Sequence, residues 1–227
     1  MIKPEYISNN GKIRFYNCDC ESLLNTGNKW DLCICDSPYG IGEDGSKSKS
    51  RGKLAAAKEY KPYAGNDADS PPKYVFDNII QNSSNQIIWG ANHFISKIPY
   101  DSPCWIVWDK DNGDTDFADC ELAWTSFKTA TRKFTHRWNG MLQQNMKQKE
   151  LRIHPTQKPV ALYQWLLKNY AKPGDKILDT HGGSCSLAIA CDIMGFDATI
   201  YEIDEDYSRA ACERFERHKQ QTVLEFV

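Results

Sequence analysis

Asp36, Ser37, Pro38 and Tyr39 follow the apolar run Leu32–Cys35, and their types suit one kind of chemistry. A short continuous apolar run closed by Pro38 and Gly40 reads as a strand buried on both faces. The polar residues after it then lie at the carboxyl edge of a sheet, where open α/β proteins bind ligands. Ser37 precedes a proline, which pushes its backbone toward an extended shape and leaves its carbonyl facing outward. Asp36 supplies one acceptor, the Ser37 carbonyl a second, and Tyr39 a flat face beside them. A planar exocyclic amine has two N–H groups and a ring, and that set matches it. An Asp/Ser/Pro turn after a strand is the plainer reading of the same residues.

A second group lies near the other end of the chain. Lys176–Asp179 reads as a strand, Thr180-His181-Gly182-Gly183-Ser184-Cys185-Ser186 as a glycine-rich turn, and Leu187–Met194 as a helix. In such a unit the backbone around Gly183 and Ser184 can approach a nucleoside-type cofactor closely. Ala198–Tyr201 reads as the next strand. Glu202 closes it 23 residues after Asp179, a spacing that places an acid to hold ribose hydroxyls. Asp19 ends a strand over Lys12–Cys18 in a similar way, placed to accept from an adenine amino group or a ribose hydroxyl and equally placed to cap the helix after it.

The elements that must position these residues alternate along the chain. Gln86–Trp89 and Cys104–Trp108 read as further buried strands, with Asn92 and His93 after the first able to face a substrate. Helices are expected over 74–80, after Pro159 with Val160, Tyr163, Leu166, Leu167 and Tyr170 on one face, and over 205–221. A chain of 227 residues with this alternation fits one α/β domain. No apolar run approaches the length of a membrane span and the first residues have no signal-peptide pattern, so a cytoplasmic protein is expected. Nine cysteines in such a chain read as reduced thiols, and the Cys18/Cys20 and Cys33/Cys35 pairs as small buried hydrophobes inside strands rather than zinc ligands. No metal is required.

A net charge of −2 argues against a protein that coats polyanions generically. Locally the balance reverses. Residues 128–152 carry seven basic side chains, including Arg132, Lys133 and Arg137, against Glu150 alone, and residues 47–61 carry six, including Lys47 and Arg51, against Glu59. Two such islands suit a DNA groove, and equally RNA. In the first, Phe134, His136, Trp138 and Met141 lie among the cations, a mixture suited to phosphate contacts and base wedging. Residues 41–72 are rich in Gly, Ser, Lys and Asp and read as a mobile loop over the site.

Asp36-Ser37-Pro38-Tyr39 resembles the [DNS]-P-P-[YFW] signature of the S-adenosylmethionine-dependent amino-methyltransferases that act on adenine N6 or cytosine N4 in DNA, with Ser37 where a proline is usual. His154-Pro155-Thr156-Gln157-Lys158-Pro159 resembles the element that precedes their cofactor loop. Asp179–Ser186 resembles the loop motif Asp-x-Phe-x-Gly-x-Gly, with His181 for the phenylalanine and Cys185 where the second glycine is usual. The catalytic stretch comes before the cofactor loop, an order that resembles the beta-type, phage-like members, over nearly the whole chain.

The resemblance implies a Rossmann-like methyltransferase fold with a mixed, mostly parallel seven-stranded sheet and helices on both faces. It implies S-adenosylmethionine as cofactor, with Asp19 at its adenine and Thr156 and Lys158 at its methionine end. It implies direct methyl transfer to adenine N6 in DNA, with Tyr39 stacked on a flipped base and residues 128–152 as a target-recognition segment whose brevity fits a short DNA site or a partner subunit. A cytosine-N4 enzyme and a non-catalytic DNA-binding subunit are the alternatives; Ser37 and Cys185 favour the latter.

Overall fold

The computed structural model describes residues 3–24, 27–42, 67–113, 118–139 and 142–224. Among them runs one nine-stranded sheet. Its strands are β1 (Tyr6–Ile7), β2 (Ile13–Asn17), β3 (Trp30–Cys35), β4 (Ser83–Trp89), β5 (Trp105–Asp109), β6 (Cys120–Thr125), β7 (Arg132–Thr135), β10 (Lys176–Asp179) and β11 (Asp197–Glu202), in the spatial order β1-β2-β11-β10-β3-β4-β6-β5-β7. A two-stranded ribbon, β8 (Trp138–Asn139) with β9 (Leu142–Gln143), stands apart from it. The five strands β2, β11, β10, β3 and β4 are mutually parallel, and β6 runs antiparallel to both of its neighbours. The sheet is thus the expected seven strands with one short strand added at each edge, β1 antiparallel to β2 and β7 parallel to β5.

The helices are α1 (Glu21–Leu24), α2 (Lys73–Asn82), α3 (Val160–Tyr170), α4 (Ser186–Met194) and α5 (Glu205–Leu224). The period-two alternation of the strands sorts the core into two faces. Leu32 and Ile34 join Ile177, Ile200 and Phe15 against α3, α4 and α5, whereas Cys33 and Cys35 point the other way, toward Val75, Phe76 and Ile79 of α2. The cysteine pair of β3 therefore packs as small hydrophobes. Six consecutive residues of α4, Ser186–Cys191, are buried, so this helix is apolar on every side and lies between the sheet and its sister helices. Neither α2 nor α3 has a side-chain cap at its N-terminus, where Pro72 and Pro159 stand. Burial of about 1.5–3 kcal/mol per large apolar side chain holds these helices instead.

The chain leaves β10 through α4 toward β11 and leaves β3 through α2 toward β4, in opposite directions along the sheet. Adjacent parallel strands whose connections part in this way open a crevice at their carboxyl ends. The acidic stretch follows β3 and the glycine turn follows β10, so both lie at that crevice. Among the described residues no helix is long and apolar enough to cross a membrane.

Candidate active site

Asp36 leaves the end of β3 with its Oδ1 held by two donors, Lys158 Nζ at 2.6 Å and the Tyr39 hydroxyl at 3.1 Å. Lys158 also reaches Glu121 Oε2 at 3.0 Å and the Tyr39 hydroxyl at 3.0 Å, and that hydroxyl lies 3.1 Å from Glu121 Oε2. Glu121 sits near the start of β6, where the antiparallel register brings it to the carboxyl edge opposite Trp108, and Lys110 closes on its Oε1 at 2.6 Å. Two carboxylates and two ammonium groups from three distant stretches therefore make one charge-balanced cluster. The Lys158 ammonium is buried, 3 % exposed, and lies over the rings of Tyr39 and Trp89.

Burial pushes the Lys158 pKa down, but the charges of Asp36 and Glu121 outweigh it and the net direction is up, so the side chain stays an ammonium. The two carboxylates move oppositely although both face that cation. Burial raises Glu121 less than its two cations, Lys158 and Lys110, lower it, and its pKa falls to about 2. Asp36 has only Lys158, with Glu121 as a like charge beside it, and burial leaves it raised.

Tyr39 is fixed on every side. Its backbone N–H and those of Gly40 and Ile41 all donate to the Asp67 carboxylate, and the His93 ring stacks on its own at 5.4 Å and 17°. Gly90 turns the chain out of β4 at φ +69°, and a Cβ there would stand 2.1 Å from the Tyr39 ring. Only glycine allows both the left-handed backbone and the close approach. Ser37 is buried, and its Oγ has no partner among the described residues.

The glycine turn is built differently, by backbone. The Asp179 carboxylate accepts from the His181 N–H at 3.1 Å, and Glu202 Oε2 accepts from the Gly183 N–H at 2.7 Å while Oε1 takes that of Asp204 at 2.9 Å. Gly182 lies so close to β11 that a Cβ would meet Ile200 Cγ2 at 2.5 Å. Burial, with the like charges of Asp36 and Glu202, raises the Asp179 pKa to about 8 against the His181 bond. Burial lowers the half-buried His181 to about 4. Its Nδ1 lies 2.9 Å from the Thr180 hydroxyl and 3.7 Å from the Cys35 thiol at the end of β3. The acidic corner and the glycine turn are therefore neighbours on the same side of the sheet.

The family profile of DNA methylase, N6_N4_Mtase, matches residues 61–213. This chain belongs to that family. The match spans Glu121, Lys158, the glycine turn and Glu202, and begins after the Asp36–Tyr39 corner. Solved structures share the fold of the methylase. M1.HpyAVI in its complex with SAM is 20% identical, with a TM-score of 0.54 over 89% of this chain and 99% of that one. PvuII DNA methyltransferase, cytosine-N4-specific, is 13% identical, with a TM-score of 0.60 over 94% and 89%. TTHA0409 of Thermus thermophilus, complexed with S-adenosyl-L-methionine, is 15% identical, with a TM-score of 0.54 over 90% and 95%.

The remaining expected site residues of the methylase fall into distinct places. Ser184 is buried, its hydroxyl 3.1 Å from that of Ser186. Thr156 is exposed, with its hydroxyl 3.0 Å from His154 Nδ1. Lys158, expected at the methionine end of the cofactor, reaches Asp36. The Asp19 carboxylate accepts from the Glu21 N–H at 2.9 Å, just ahead of α1. Arg132, Lys133 and Arg137 are exposed on and after the edge strand β7, with Lys133 paired to Asp109 at 3.0 Å and Arg137 to Asp111 at 2.5 Å. Lys47, Arg51, Met141 and most of the expected loop over 41–72 lie outside the described residues. Two of the rings expected to wedge bases are packed inside: Phe134 against Trp165 and His136, and Trp138 buried with its Nε1–H on the Gln157 carbonyl at 2.7 Å. Among the described residues there, Leu142, Met146 and Leu151 are exposed large apolar side chains.

Sequence reading missed Glu121, Lys110 and Asp67. Each is an ordinary charge at a strand end or in a loop, and nothing local marks which residue it will meet. Gly90 carried a usable signal, a glycine at a strand end.

Proposed function

We propose that this methylase transfers a methyl group from S-adenosylmethionine to adenine N6 in DNA, on a base flipped out of the duplex. The observation that carries the reading is the Asp36 carboxylate. Both of its contacts fall on Oδ1, which leaves Oδ2 as the acceptor for a substrate N–H. The glycine turn fits the cofactor: Gly182 and Gly183 keep its backbone bare, and the ends of the two strands beyond it carry Glu202 and Asp19. A nucleoside laid across β10, β11 and β2 meets glycine backbone and two acids, with Asp179, His181 and Ser184 at the turn itself and Thr156 beside His154. Bound S-adenosylmethionine supplies a methyl group already activated on a sulfonium.

The chain's own part is alignment and charge placement. The amine is a poor nucleophile because its lone pair is delocalised into the ring. Asp36 and the Ser37 carbonyl hold its two hydrogens and favour a pyramidal nitrogen. As the N–C bond forms, the nitrogen must lose a proton, and Asp36, whose proton affinity is raised by burial, accepts it. Lys158 holds Asp36 in place, and Glu121 with Lys110 holds Lys158. A base stacked on Tyr39 takes the position that the exposed His93 ring occupies. Extrusion of the base costs about a few kcal/mol, offset in part by phosphate contacts from Arg132, Lys133, Arg137 and the basic residues near Lys47 and Arg51.

Adenine is read from the acid at position 36. DNA treated with the protein and labelled S-adenosylmethionine, digested to nucleosides and separated, should yield labelled N6-methyladenine. Labelled N4-methylcytosine would move the reading to the cytosine alternative, and no label in DNA would leave a non-catalytic DNA-binding subunit. Sequencing the methylated positions gives the recognition site.

A further inference from the structure

The turn that the cofactor reading uses contains a residue in a conformation side chains disfavour. Cys185 occupies the left-handed region at φ +59° and ψ +22°, immediately before α4. Glycine adopts this backbone freely, whereas a Cβ is pressed toward a carbonyl oxygen. Cys185 is fully buried and its Sγ lies 3.1 Å from the Ala211 carbonyl of α5. Something outside the turn must hold it in this shape.

That group is the Arg214 guanidinium of α5, which is 7 % exposed. Nη1 donates to the Ser184 carbonyl at 2.5 Å and to the Ser186 hydroxyl at 2.9 Å, one bond on either side of Cys185. Nη2 donates to Glu150 Oε2 at 2.7 Å, and Glu150 Oε1 accepts the N–H of Val160, the first residue of α3, at 3.0 Å. One planar fork thus ties the glycine turn to the start of the helix that follows Thr156 and Lys158. Lysine has no such fork.

We propose that Arg214 is a positioning residue for cofactor binding. It clamps the turn around the strained Cys185 and, through Glu150, sets the spacing between the turn and the 154–159 segment. The proposal rests on the reading that this turn cradles S-adenosylmethionine.

Calorimetric titration of the full chain with S-adenosylhomocysteine, which cannot react, tests it alongside hydrogen exchange of the 183–187 amides in the free protein. Arg214→Lys should weaken binding about tenfold or more, raise exchange in those amides, and leave kcat at saturating cofactor within about threefold. Cys185→Gly in the Arg214→Lys background should restore part of the binding and the amide protection, because the glycine needs no clamp while the tie to α3 stays lost. A role in stability alone would lower Tm without moving affinity and would not be rescued in this way. If Arg214→Lys fails to fold, Glu150→Gln, which loosens the tie from Arg214 to α3 but leaves Arg214 on the turn, should weaken binding by a smaller factor. Wild-type affinity and exchange in a folded clamp variant, or no rescue by the glycine, overturns the proposal while the cofactor reading stands. Wild-type protein that binds no S-adenosylhomocysteine overturns both.

Discussion

The acidic corner and the glycine turn sit side by side at the carboxyl ends of β3 and β10, yet they are held by different forces. The corner is assembled by charge: Asp36, Glu121, Lys110 and Lys158 come from three stretches of chain and cohere because each buried ion faces an opposite one. The turn is assembled mainly by backbone, through amides of the 176–202 unit donated to Asp179 and Glu202 and a glycine pressed against β11, with the Arg214 guanidinium of α5 clamping it from outside. The comparison teaches which substitutions each half tolerates. Charge-neutralising changes should damage the corner directly, and changes of backbone freedom, of buried protonation or of the Arg214 clamp should damage the turn.

The sharpest test of this contrast is Asp36→Ala. Methyl transfer should fall by about a hundredfold or more, with S-adenosylhomocysteine affinity unchanged by calorimetry. Loss of both together would make Asp36 a structural residue and erase the division between the two halves. Next in size is the pH response of the turn. Asp179, raised to about 8, keeps a proton in the folded chain that the unfolded chain gives up near its ordinary carboxylate pKa. Its contribution to stability therefore declines as pH rises from about 4 to about 8, by at most roughly 1.4 kcal/mol per pH unit. Asp179→Asn should remove that decline, so its Tm advantage over wild type, without cofactor, widens across the window. A constant difference would mean that Asp179 is ionised in the fold.

Lys158→Met leaves Asp36 and Glu121 facing each other without their shared cation. It should cost about 3–5 kcal/mol in urea unfolding, and adding Glu121→Gln should recover part of the loss. An unchanged midpoint would show that the cluster is solvated rather than buried. The smallest effect is expected from Gly90→Ala, which puts a methyl group against the Tyr39 ring at a left-handed backbone position. A loss of about 1–2 kcal/mol should accompany a fall in kcat, with cofactor affinity retained. If kcat is unaffected, the placement of the Tyr39 ring does not matter to transfer.

Much of this fold was legible because its strands are buried on both faces and bounded by glycine or proline. Lys176–Asp179 was read to the residue, and Trp30–Cys35, Ser83–Trp89 and Asp197–Glu202 to within a few positions at their ends. The edge strands escaped, as did the interior strand β6. Tyr6–Ile7 is two residues long, and Arg132–Thr135 is mostly exposed, so neither has the apolar pattern that marks a strand. Trp138 and Phe134 illustrate the limit in the other direction: an aromatic among cations has the same composition whether it faces solvent or, as here, packs inward on Gln157 and Trp165.

Local order in the chain was enough to place Asp36 after one buried strand and Asp179 and Glu202 after two others, because hydrophobic runs and turn residues act over a few positions. It could not say that Lys158 would reach back 122 positions to Asp36, that Glu121 would arrive beside it from an antiparallel strand, or that Arg214 would clamp the turn at Cys185. Those pairings depend on strand order and register, which only the packed sheet fixes. Buried charges then select one another because none can be left alone out of water.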